Sequence, residues 1–140
     1  MNSKYFGFKT VFITIGALQV TLSGLMFTKG IVPSMSQFGI PDEVLHSPHY
    51  YDAMLYVFYH QFVNGCVLLI VGRFAVDLSL RLWLTRILSV LYCIYTYFDF
   101  RASDSVFGNG LYKGSASVIP PLFTLFFTIL ILQLNFRKRS

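Results

Sequence analysis

The sequence predicts an all-α protein, a four-span transmembrane helical bundle with both termini cytoplasmic, and three observations carry that expectation. First, of 140 residues 55% are hydrophobic, 25 are aromatic and only 17 are charged, with a mean hydropathy of +0.62. A soluble domain of this length clothes its core in charge, and so few charged residues would leave wide apolar patches in water. Second, the apolar residues gather in four runs, each near the roughly 20 residues a helix needs to cross a hydrocarbon core about 30 Å thick. Third, Lys and Arg are divided unequally among the segments that join those runs.

Span one covers about residues 8–27. Lys4 and Lys9 come before its apolar stretch as they would in a signal peptide, but the run is long for that role and no small-x-small cleavage site follows, so it reads as a retained helix. The first loop, about 28–52, is long. Within it Ile40-Pro41-Asp42-Glu43-Val44-Leu45 has Pro at a first turn and acids at the positive end of the helix dipole, a pattern for a short interfacial helix. Span two covers about 53–75 and span three about 82–100. Only residues 76–81 join them, which predicts that these two helices are antiparallel neighbours. The third loop, 101–117, carries turn signals at Gly108-Asn109-Gly110 and Gly114, flanked by Val106, Phe107, Leu111 and Tyr112. Span four, about 118–134, opens with Pro120-Pro121, which suits a rigid first turn. No repeat or low-complexity linker divides the chain, so residues 1–140 read as a single integral membrane domain.

Orientation follows from the basic residues that stay on the cytoplasmic side. Lys4, Lys9, Arg73, Arg81, Arg86, Arg137, Lys138 and Arg139 fall at the termini and second loop, against Lys29, Arg101 and Lys113 in the other two loops. Five of the six carboxylates lie on the opposite side, and the net charge of +5 is thus a topology signal. It excludes a nucleic-acid partner as the natural reading, because the cations form no extended stripe. Arg73, Arg81 and Arg86 suit snorkelling and anionic-lipid contact, with Asp77 as an alternative partner for Arg86. Gly16, Gly24, Gly65 and Gly72 permit close helix approach without forming a G-x-x-x-G motif. Cys66 and Cys93 lie inside spans, where cysteine packs as a small apolar residue.

Polar side chains within a membrane are costly, so they mark candidate sites. They concentrate in the outer half of the bundle: Gln19 and Ser23 in span one, His60, Gln61 and Asn64 in span two, Tyr95, Thr96 and Asp99 in span three, Ser117 and Thr124 at span four. Tyr56, His60 and Asn64 recur every four residues, which places them on one face, expected to point inward. The candidate ligand-binding set is therefore His60, Asn64, Gln19, Gln61, Tyr95 and Asp99, a polar pocket centred on His60. The competing explanation is that these groups bond one another and hold the helices together, each bond being worth about 1 kcal/mol or less. His46 and His49, with Asp42, Glu43 and Asp52 nearby, have ligand-like spacing, but Pro48 weakens a helix there and no established metal motif is present, so neither metal nor cofactor is expected.

The tyrosines at the outer ends of spans two and three form an aromatic belt. Three functional classes follow. The favoured one is a small binding or accessory protein holding a lipid-like or amphiphilic ligand, with membrane lipids, a hydrophobic small molecule or a partner membrane subunit as its partners. A small oligomeric transporter or channel is the second, though no acid lies deep in a span. A membrane enzyme is the third, with His60 beside Asp99 or Tyr95 as its one acid–base candidate.

Overall fold

Every backbone N–H and C=O that enters a hydrocarbon layer must be paired within its own segment, and among the described residues the long apolar runs are helical. The computed structural model describes residues 7–103 and 118–136. The helices are α1 (Phe8–Lys29), α2 (Ile31–Met35), α3 (Asp42–Leu45), α4 (Pro48–Phe74), α5 (Leu78–Ser103) and α6 (Ile119–Leu132), with 3-10 turns at Ser36–Phe38 and Gln133–Phe136. Four of these, α1, α4, α5 and α6 with its 3-10 extension, are long and apolar enough to cross a membrane. The turn signals of the third loop, Lys4 and the C-terminal basic cluster lie outside the described residues, as does Ser117.

Two close helix pairs, α1 with α4 and α5 with α6, build the bundle. The short connection does not make α4 and α5 a closely packed pair, because glycines draw α4 onto α1 instead. Gly16 and Gly65 face each other across that contact. A Cβ added to Gly16 would lie 2.7 Å from the Gly65 carbonyl oxygen, and one added to Gly65 would lie 2.9 Å from that of Gly16. Gly72 repeats the approach about two turns further along α4, where a Cβ would meet Phe12 Cβ at 2.9 Å. Gly24 differs, having nothing near it. All four long helices then contribute to one core: Val11, Phe12 and Ile15 of α1, Leu68 of α4, Tyr92 of α5, and Phe127, Leu130 and Ile131 of α6.

The long first loop folds on itself. Lys29 ends α1, Gly30 turns the chain at φ 87°, and α2, the following 3-10 turn and α3 pack Ile31, Met35, Ile40 and Leu45 into a second small core against Tyr50, Met54 and Phe58. The expected short helix is present as α3, with Asp42 and Glu43 in its first turn. Pro48 corrects an expectation: it begins α4 after Ser47 where a weakened helix was anticipated, since a proline at the first helical position lacks only an N–H that would have no partner. Hence α4 starts about one turn before the apolar run.

At the opposite end, Asp77 and Arg81 shape the 75–77 connection. Asp77 Oδ1 accepts from the Leu80 amide at 2.6 Å and caps α5. Arg81 donates from Nε to the Ala75 carbonyl at 2.7 Å and lays its guanidinium over the Phe8 ring at 5.3 Å, tying the hairpin to α1. Arg86 stacks on Trp83 at 5.7 Å, so the carboxylate of Asp77 serves the helix start and not Arg86.

Candidate functional site

Near the middle of the bundle, three polar side chains from three helices converge. Gln19 of α1 donates from Nε2 to the Tyr92 hydroxyl at 2.8 Å, and Asn64 of α4 donates from Nδ2 to Gln19 Oε1 at 2.8 Å. Asn64 Nδ2 also lies 3.5 Å from the Tyr92 oxygen. Gly65 makes this possible, because the close α1–α4 approach it permits brings the adjacent Asn64 within reach of Gln19. The Tyr92 ring sits edge-on to Phe127 at 6.2 Å, which anchors the triad to α6. A ladder of hydroxyls continues between α5 and α6. Thr96 and Thr128 hydroxyls are 2.8 Å apart, and Thr128 Oγ1 lies 3.0 Å from the Tyr92 carbonyl oxygen. Asn135 donates to Ser89 Oγ at 2.8 Å.

Of the six residues that the sequence brings forward, the structure unites Gln19 and Asn64. Tyr92, their third partner, was read only as a belt residue, although its position one turn before Tyr95 and Thr96 is a sign that could have placed it. Gln61 is half-buried on α4. Tyr95 is 60% exposed and touches the cluster only through an edge contact with the Tyr92 ring at 6.2 Å. Asp99 stands near Thr124 of α6. His60 is exposed, with Nδ1 2.9 Å from the Tyr56 carbonyl oxygen.

The inward direction expected for Tyr56, His60 and Asn64 therefore holds only at Asn64. The reason is the helical pitch: a four-residue step overshoots one turn of 3.6 residues by about 40°. With Gly65, Leu68 and Gly72 fixing the buried face, Asn64 sits at its flank, His60 has rotated outward and Tyr56, 66% exposed, lies on the far side. The histidine–carboxylate group of the first loop is likewise spread out. His46 Nδ1 bonds the Asp42 carbonyl at 3.0 Å, and among the described residues no three His, Cys, Asp or Glu side chains gather as a metal would require.

The rotation creates a different feature. At the end of the bundle that carries α2 and α3, a cavity of about 440 Å³ opens beside α1 and α4, lined by Phe27, Asp52, Leu55, Tyr56 and Tyr59. It is open to one side and its lining is almost wholly apolar. His60 borders it, its ring 4.0 Å from that of Tyr56 and 5.9 Å from that of Tyr59. Phe27 is held from behind by an edge contact with Phe62 at 6.2 Å. Gln19, Asn64 and Tyr92, like Thr96 and Thr128, are thus engaged with one another, whereas the groove offers a ring-lined apolar surface, with Asp52 in its lining and His60 at its border, to a molecule alongside the helices.

Comparison with known proteins gives no match: no family model, no curated protein and no solved structure is similar to the chain.

Proposed function

We propose that this chain is a small multi-pass membrane protein of the binding or accessory class, with both termini cytoplasmic, which holds a lipid-like or amphiphilic ligand in the outer half of its bundle. The observation that supports this reading is the groove formed by Phe27, Asp52, Leu55, Tyr56 and Tyr59. Its shape and lining suit an acyl chain along α4 with a polar group at Asp52, four residues inside the start of the helix. The binding reading moves outward from the pocket centred on His60 to this groove, which His60 borders. Gln19, Asn64 and Tyr92 then serve as the hydrogen-bonded tie between helices that keeps the groove walls in register. Mutual engagement of these midplane groups also weighs against the channel and enzyme readings, each of which needs polar groups directed at a passing or reacting species.

Native mass spectrometry of the chain released from mild detergent tests the proposal. A reproducible adduct of lipid mass that is lost in Tyr56→Ala and Tyr59→Ala is expected. Bare monomer under conditions that preserve lipid adducts on other small membrane proteins would refute it. Orientation is checked by cysteine labelling in a background with Cys66 and Cys93 replaced by Ala. Ser36→Cys should react with an impermeant maleimide from outside and Ser79→Cys only after permeabilisation; the reverse would overturn the topology.

A further inference from the structure

The groove's chemistry is one-sided. Asp52 bears a negative charge at its mouth, and among the described residues no ion pair or hydrogen bond engages that carboxylate. The faces of Phe27, Tyr56 and Tyr59 carry the negative side of the aromatic quadrupole. His60 joins them. A carbonyl can only accept, so Nδ1 is the donor in its contact with Tyr56. Asp52, Tyr56 and His60 follow one another at single-turn intervals of about 6 Å, running from the helix start inward. The carboxylate and the tyrosine ring of this stripe are electron-rich.

We propose that the groove selects a membrane lipid with a quaternary ammonium headgroup of the choline type; this rests on the binding function proposed above. Charge complementarity with Asp52 calls for a cation, and rings around an almost wholly apolar lining call for one without N–H donors. A primary ammonium has three donors, of which Asp52 satisfies at most part, and the rest would be buried against hydrocarbon. A trimethylammonium group has none, presents methyl groups to Leu55, and gains from the faces of Phe27, Tyr56 and Tyr59 as aromatic cages do. The acyl chains then follow the exposed apolar side of α4 past Val63 and Val67.

The test offers the full chain, in mild detergent, an equimolar mixture of phosphatidylcholine, phosphatidylethanolamine and phosphatidylglycerol with identical acyl chains, and compares bound with free lipid by native mass spectrometry. Phosphatidylcholine should be enriched, and Asp52→Asn or Tyr56→Leu should each reduce the enrichment about threefold to thirtyfold, the range for a single cation–π or comparable contact. Both side chains are exposed, and Asp52→Asn preserves shape, so a melting curve matching the parent's certifies the fold. Retained lipid without choline preference, or with ethanolamine or glycerol preferred, overturns the headgroup assignment while leaving the binding function standing. Enrichment that survives Asp52→Asn and Tyr56→Leu overturns this groove as its source. Absence of any lipid adduct removes both proposals together.

Discussion

Replacing Gly16 with alanine adds one carbon atom at the tightest point of the bundle. Its Cβ would stand 2.7 Å from the Gly65 oxygen and 2.9 Å from the Leu69 nitrogen, where ordinary contact begins at 3.4 Å. Both obstacles are backbone atoms of α4, so no rotamer change relieves them, and the two helices must part by at least half an ångström. A gap of that size forfeits a quarter or more of the dispersion energy of each atom pair along the seam. It also lengthens the Asn64–Gln19 bond, already at 2.8 Å. Overpacking of this kind costs about 1–3 kcal/mol, partly offset by the better helix propensity of alanine, worth about 1 kcal/mol. The net expectation is a loss of up to about 2 kcal/mol for Gly16→Ala. Gly24→Ala is the control: nothing lies within 4 Å of its added carbon, so only the propensity gain of up to about 1 kcal/mol applies. Reversible unfolding in mixed micelles, followed by circular dichroism, measures both. A double Gly16→Ala, Gly65→Ala variant should cost less than the two changes summed, since a seam opened once admits the second methyl. Equal effects at Gly16 and Gly24, or strict additivity of Gly16 and Gly65, would refute the close-approach argument.

Other expectations use the same unfolding assay. Tyr92→Phe leaves the Gln19 amide without its acceptor and should cost about 1–3 kcal/mol, whereas replacing Gln19, Asn64 and Tyr92 together by Leu, Leu and Phe should cost less than their summed single effects. Asp77→Ala removes the α5 cap and should cost about 1 kcal/mol, with Asp77→Asn close to neutral. Ser23 is 0% exposed and its hydroxyl has no partner among the described residues, so Ser23→Ala should leave stability unchanged or raise it by up to about 1 kcal/mol; a loss above that size would mean the hydroxyl is bonded.

Sequence by itself determined the number and approximate limits of the spanning helices, because hydrocarbon thickness and the demand for internal hydrogen bonds act on each segment separately. It also singled out Gly16, Gly24, Gly65 and Gly72 as points of close approach, of which all but Gly24 meet a neighbouring helix, and Gln19 and Asn64 as costly polar groups that need partners. Which partners they find was a tertiary decision. Gly65 and Gly72 fixed the face of α4 that turns to α1, and every other α4 residue was then assigned by its angle from that face. Asn64, at the flank, joined Gln19 and Tyr92. His60 and Tyr56, further round the same helix, were carried outside, since a four-residue period drifts across a helix of 3.6 residues per turn. The pairing of helices was likewise invisible locally: a three-residue connection joins α4 to α5, yet small residues meeting across the chain bound α4 to α1. Periodicity tells which residues share a side of one helix, but only packing among helices decides which side is the inside.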